Sequence, residues 1–507
     1  MNRARCSVAL ILLSTSLLIA APSPDVLRVR EWRTKNEREI LGELMQLVAL
    51  PNLAANRADI ARNADFLTSM FEKRGFTVSR WDTKGSPIVF ARRDAVGPRG
   101  TVLFYMHYDG QPTNTKEWTL GAPFSPAAFR GTTPVDLQAG RGTGPVDPNV
   151  RIYGRSTSDD KGPIVALLAA LDGLIAAKAR IPWSIRVVLD GEEEAGSPNF
   201  DASMKDHAAE VKSDLAIVVD SPRHPSGLPT VFYGSRGTFT ATVTVYGATG
   251  DLHSGNYGNF VTDPAMALAR LLASMKDARG NVTIRNFYDG VEPLTPAEER
   301  AIDEIPNIDA KLLEQFGLAR PEHPDSRIEV QHTRPTLSIT GIESGAVHTG
   351  TRAAIPASAA ARVEMRLVKG LSAEVQLDRL VAHIREQGFH VIATEATEPD
   401  AATRRTHPLI ARVTRSSTGF PVGKTSMDDP GTAGAVAAIR SLDQRVVRLP
   451  TIGGSLPFAT FTDTLALRTI GLAVVNFDNN QHAANENIRV GHLWEAIEIF
   501  AALLTAQ

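Results

Sequence analysis

Cysteine is almost absent: Cys6 is the only one among 507 residues. A disulfide-built scaffold is therefore excluded, and so is a cysteine-bound zinc site. Aromatic residues make up only 6%. Neither sign of charge dominates, with 54 Lys+Arg against 56 Asp+Glu and no sustained basic run. Bulk electrostatic attraction to nucleic acid is thus not part of this chain. Past the N-terminus no apolar stretch reaches the roughly 20 residues that a bilayer crossing requires, so no membrane span is expected. What remains, 43% hydrophobic and 22% charged, is the composition of a soluble globular protein. At roughly 150 residues per domain its length corresponds to several domains.

The first residues have a different texture. Arg3 and Arg5 precede an apolar run from Val8 to Ala21, and Pro22-Ser23-Pro24 follows. Charge, a short apolar core and small residues in that order predict a cleaved secretory signal over 1–21, and hence a secreted or periplasmic protein. Its removal would take away Cys6 and two arginines, moving the net charge from −2 to −4. Any metal site in the mature chain must then be built from His, Asp and Glu.

Apolar spacing predicts helices over 28–48, 56–75, 162–177, 261–275, 374–387, 432–440 and 490–505. Short β-rich runs stand at 101–106, 185–189, 215–219 and 470–477, and alternating ones at 238–246 and 359–367. Buried strands interleaved with helices predict an α/β fold, a mixed sheet covered by helices. The alternating strands mark an inserted α+β unit. The expected division is a catalytic domain from 25–235 and 406–507, with the insert spanning 236–405. The stretch 131–150 reads as a Gly/Pro-rich loop, 278–335 shows little periodicity, and there is no internal repeat.

Residues able to do chemistry recur where the buried strands end. His107 and Asp109 follow the first strand, Glu192 to Glu194 the second, Asp220 the third and His482 the last, while Asp159 and Asp160 stand just before a helix. A lone His or Asp at such a place is ordinarily a turn residue. Five segments delivering His, Asp and Glu to one sheet edge are harder to explain as surface, since ligands gather at strand C-termini in open α/β sheets. Carboxylates crowded together repel unless a cation compensates them. With no Cys, the donor set suits zinc or manganese in an open catalytic site.

Six segments, in order, carry a resemblance: HxD at 107–109, GRSTSDDKGP at 154–163, EEAGS at 193–197, DLHSGNYGN at 251–259, GGSLP at 453–457 and the late His482. Together they resemble the di-zinc peptidases that include carnosinase-type dipeptidases, glutamate carboxypeptidase, acetylornithine deacetylase and succinyl-diaminopimelate desuccinylase, with DDKGP and DLHSG nearest the dipeptidase and carboxypeptidase branch. The resemblance implies a zinc-exopeptidase-like catalytic domain with a lid and dimerisation insert. It implies two divalent ions per chain, Zn2+ foremost with Mn2+ or Co2+ as alternatives. His107, Asp159 and Asp220 would hold one ion and Asp159, Glu194 and His482 the other, with Asp159 bridging. Glu193 would be the general base toward a metal-bridging hydroxide, and Asp109 would orient His107. His253 would reach the oxyanion from the partner subunit of a homodimer. Arg366, Ser455 and Gly454 would meet the substrate's carboxylate end.

The expected activity is hydrolysis of a dipeptide or of the C-terminal bond of a short peptide. Hydrolysis of an N-acyl amino acid by the same site is the alternative, and a non-catalytic binding protein on the same fold a weaker one. One departure stands out: Ala353 occupies a position, two residues before Ile355-Pro356, where the family commonly carries Asn or Thr. Arg352, beside it, reads as an exposed residue. His348, His383, His390 and His492 match no motif and read as structural or surface residues, and Trp118 as wall or core.

Overall fold

The computed structural model describes residues 22–137, 144–347, 350, 352–417, 419–442 and 445–506. The segment 1–21 with Cys6, and His348, lie outside them. An eight-stranded and a five-stranded sheet carry the fold. In chain order their strands are β1 Thr77–Trp81, β2 Ile88–Arg93, β3 Gly100–His107, β4 Trp183–Asp190, β5 Leu215–Val218 and β6 Thr230–Phe232, then β7 Gly237–Tyr246, β8 Thr336–Glu343, β9 Ser358–Leu367, β10 His390–Ile392 and β11 Ile410–Ser417, and finally β12 Val447–Leu449 and β13 Thr469–Ala473.

The larger sheet runs β1-β2-β4-β3-β5-β13-β6-β12. Its middle four strands are mutually parallel: β3 with β4, β3 with β5, and β13 with β5. Their C-terminal ends therefore share one edge, and the register sets His107 opposite Asp190. Alternation along β3 explains the two cores. Val102, Phe104 and Met106 face one apolar cluster, whereas Leu103 and Tyr105 face another. The first cluster is closed by helices Pro24–Val48, Lys161–Ala176 and Val490–Thr505. Helix Lys161–Ala176 is apolar almost all round and buried from Lys161 to Leu171, as a helix enclosed between a sheet and other helices must be. Each such Leu, Ile or Val contributes roughly 1.5–3 kcal/mol by leaving water.

The smaller sheet runs β8-β9-β7-β11-β10. Helices Pro264–Ala273 and Ala373–Glu386 pack on its apolar face, through Leu268, Leu271, Leu380 and Ile384. It takes in β11, which pairs with β7 from Thr240 to Tyr246. The insert thus extends past the boundary at 405 expected from the sequence, because IARVTRSS has the alternation that a half-covered strand needs. The weakly periodic stretch 278–335 holds three short helices, Pro296–Glu304, Asp309–Phe316 and Ile328–His332. The first and last of them join the larger sheet rather than the insert, the last through Glu329, whose Oε1 lies 3.0 Å from His224 Nε2. Ile305 packs into that sheet's second core, and Glu298 and Glu304 form ion pairs with Lys424 and Arg448. Of the Gly/Pro-rich stretch, 138–143 lie outside the described residues; Thr133–Val135 within it and Arg151–Tyr153 just after it flank Ala127–Arg130 in a small separate sheet.

Candidate active site

The shared edge of β4, β3, β5 and β13 gathers the acids and histidines expected there. Asp159 is the centre of the group. Its Oδ1 lies 2.8 Å from His107 Nε2 and its Oδ2 3.1 Å from His482 Nε2, so each oxygen faces a different imidazole. His107 Nε2 is also 3.8 Å from Asp220 Oδ2, and His482 Nε2 is 3.3 Å from Glu194 Oε2. Donor atoms of His107, Glu193 and Asp220 lie within 4.8 Å of one another, as do those of His107, Asp159 and Glu194. Asp109 sits beneath, fully buried: its Oδ1 is 3.3 Å from His107 Nδ1, and its two oxygens accept the backbone N–H groups of Glu193 and Glu194 at 3.0 Å. One carboxylate thus sets both the histidine ring and the glutamate turn.

The local sequence explains how these side chains are held. Asp159 and Asp160 immediately precede helix Lys161–Ala176, where the positive end of the helix dipole favours anions. Gly162 lets the helix start against the loop, since a Cβ there would stand 2.3 Å from the Thr157 carbonyl oxygen. Lys161 turns away from the acids, and its Nζ donates to the carbonyls of Leu47 and Leu50 at the end of the first helix.

Three supports escaped the sequence reading. Glu486 is fully buried and accepts the N–H groups of Ser156, Ser158 and Asp159, the Ser158 hydroxyl and Arg155 Nη1 at 2.8–3.1 Å. It ties the Asp159 loop to the chain four residues after His482. Gln111 Nε2 donates to Glu194 Oε2 at 2.7 Å and Gln481 Nε2 to Asp159 Oδ2 at 2.6 Å. The only signal for Glu486 was an acid inside the NNQHAANEN segment.

Electrostatics show a centre short of positive charge. Burial pushes the Glu194 carboxyl up to about 8, helped by Asp159, and the Asp220 carboxyl up to about 7. Burial and the Asp220 charge hold Glu193 well above the usual range. Asp159 goes the other way: burial is outweighed by hydrogen bonds from His107 and His482, which hold it low. The acids in turn overcome burial at His482, raising it to about 9, and hold His107 well above its ordinary value. Asp220 Oδ2 is buried without a hydrogen-bond partner. Carboxylates resisting ionisation beside an unpartnered oxygen are what a divalent cation relieves, and a His/Asp/Glu donor set fits one.

A cleft of about 810 Å³ opens over the group and is lined by Asp159, Glu193, Glu194, Asp220 and His482. Arg366, Gly454 and Ser455 line the same cleft, and Arg366 Nη1 donates to Ser455 Oγ at 2.8 Å. His253 is not brought to it. It stands exposed on the insert, pairs with Ala354, and its Nδ1 accepts the N–H groups of Gly255 and Asn256 at 3.1 and 3.3 Å. Those two obligatory donors put the ring proton on Nε2, which makes the outer nitrogen a donor. Near it, Arg352 pairs with Asp251 at 2.6 Å. Among the remaining residues, Trp118 is buried under the Arg155 guanidinium. His383 bonds Ser274, His390 stacks on His407, and His492 is pushed down to about 3, chiefly by burial.

The sequence profile of "Peptidase family M20/M25/M40" matches residues 103–506, most of the chain. The chain belongs to this family. It is a hydrolase of the metallopeptidase class, and enzymes of the M20 family use divalent metal ions, for which the His/Asp/Glu groups above offer ligands. Among named relatives, the Cys-Gly metallodipeptidase dug1 of Schizosaccharomyces pombe is 26% identical over 485 residues, covering 92% of this chain and 95% of that protein. The Beta-Ala-His dipeptidase of Homo sapiens is 27% identical over 424 residues, covering 82% and 76%. An M20 family metallo-carboxypeptidase from Sulfolobus solfataricus has the same fold, with a TM-score of 0.75 at 24% identity, covering 92% of this chain and 99% of that one.

Proposed function

We propose that this M20 enzyme is a metal-dependent dipeptidase that hydrolyses short peptides with a free C-terminal carboxylate. The observation that carries the reading is the shared cleft. A carboxylate whose two oxygens face two histidines lies in it together with an arginine–serine pair suited to an anion. His107, Asp159 and Asp220 would hold one ion, and Asp159, Glu194 and His482 the second. When bound, two such ions supply Lewis-acid polarisation of the scissile carbonyl and a more acidic water.

The chain's own residues do the rest. Arg366 and Ser455, with the Gly454 backbone beside them, hold the substrate carboxylate and so place the adjoining peptide bond over the acids. Glu193 takes a proton from the attacking water and returns it to the leaving nitrogen. Its high affinity for a proton in the buried site suits that exchange, and the charge of nearby ions would moderate it toward neutral pH. Asp109 keeps His107 in one orientation by accepting a hydrogen bond from its Nδ1–H. His253, with its proton outward on Nε2, would donate to the carbonyl oxygen as negative charge develops. It is exposed on the insert, so we assign it to the cleft of a partner subunit in a homodimer. We also propose that residues 1–21 direct export. No helix among the described residues is long and apolar enough to cross a membrane.

Product analysis tests the reading. Zinc-loaded protein should release free amino acids from a panel of dipeptides faster than it releases amino acids from their N-acetyl counterparts. Cleavage of the N-acyl compounds alone would replace the dipeptidase by a deacylase.

A further inference from the structure

A second chamber, also of about 810 Å³, opens beside the cleft. The two share Arg366, Gly453, Leu312, Phe316 and Ile328, so the Arg366 guanidinium stands at the passage between them. One wall comes from the insert, with Val282, Tyr288, Val291 and Leu337. The facing wall is helix Asp309–Phe316 and the turn after it, presenting Leu313, Phe316 and Leu318. Phe316 and Leu318 remain 59% and 54% exposed, so both offer apolar surface to whatever enters the chamber. Arg334 and His323 also line the walls, but several of the charged groups there are engaged with one another. Lys276 pairs with Glu322 at 2.7 Å, Arg366 with Glu364 at 3.0 Å, and Arg236 donates to the Gly453 carbonyl. The surface left to a ligand is mainly apolar.

We infer that this chamber receives the side chain of the substrate residue that bears the free carboxylate, and that it selects large apolar and aromatic side chains there. The inference rests on the dipeptidase reading and on Arg366 as the carboxylate's partner. The stereochemistry of an amino acid directs it. Carboxylate, amide nitrogen and side chain leave one Cα in three directions. With the carboxylate on Arg366 and the nitrogen directed to the scissile bond over the acids, the side chain must take another course. The chamber is the apolar volume that begins at Arg366. Filling it with an aromatic ring in place of the hydrogen of glycine should raise affinity about 10–100-fold.

The test separates binding from cleavage. Zinc-loaded Glu193→Gln protein, which lacks the proposed base, is titrated calorimetrically with Ala-Phe and Ala-Gly. The expected result is tighter binding of Ala-Phe by about 10–100-fold. Adding Leu313→Trp or, separately, Leu318→Trp should remove most of that advantage and leave Ala-Gly unchanged, because neither side chain lines the metal cleft. Equal affinities, no measurable binding of Ala-Phe, or a preference untouched in both folded tryptophan variants would overturn the inference. Failure of the dipeptidase reading looks different: the wild-type zinc protein would bind Ala-Phe with this preference yet release no product.

Discussion

Glu193 and Glu194 are neighbours on one short turn, yet they have different company. Glu194 meets His482 and Gln111, whereas Glu193 lies beside His107 and Asp220 and is 8% exposed. Glu193→Gln should therefore keep two ions per chain and lose about 10²–10⁴-fold in turnover, the usual worth of a general base. Glu194→Gln should lose one ion. Metal analysis beside kinetics checks both, and the opposite pattern of metal loss would exchange the two roles. Glu486 makes a second prediction at this scale. Replacing its carboxylate by an amide turns an NH2 group toward backbone donors. Glu486→Gln should thus weaken metal binding about 10–100-fold, as loss of a group that orients a ligand does, and an unchanged metal affinity would contradict the role. His107 and Asp159 were legible because one ends a strongly patterned strand and the other stands just before a patterned helix. His482 was legible from its place in the chain after the apolar run 470–477, although the strand itself stops at Ala473. Glu486, Gln111 and Gln481 were not, because their partners lie far along the chain, 83 to 331 residues away for the bonds that matter.

At the scale of elements, the parallel run β4-β3-β5-β13 explains why residues from distant segments meet, and its strands could be read from apolar runs alone. The insert was legible in β7 and β9, whose alternation is clean, but its end was not. β11 lies beyond a stretch of weak pattern, and what assigns its alternating residues to the insert is their pairing with β7. The three helices between 296 and 332 are short, 5 to 9 residues, too few turns for periodicity to emerge. His253 belongs to this scale because it acts, on the proposed reading, through the placement of the whole insert. His253→Ala should lower turnover about 10²–10³-fold with metal content unchanged. Mixing His253→Ala with Glu193→Gln chains, each nearly inactive alone, should restore activity, since one site of a mixed dimer then keeps both its base and the partner's histidine. Demonstrated mixed dimers without recovered activity would reject action across the interface.

Across the whole molecule, two sheets stand in for two tasks. The larger one concentrates negative charge at a single edge, and the insert carries Arg366 to the same cleft. At that edge burial holds the Glu194 and Asp220 carboxyls above their ordinary range, and Asp220 Oδ2 is buried without a hydrogen-bond partner. Hydrolysis at this edge therefore depends on metal. Protein stripped by a chelator and verified free of metal should hydrolyse no dipeptide, and stepwise addition of zinc should restore cleavage until it saturates at two ions per chain. Full activity in the verified metal-free protein would contradict it.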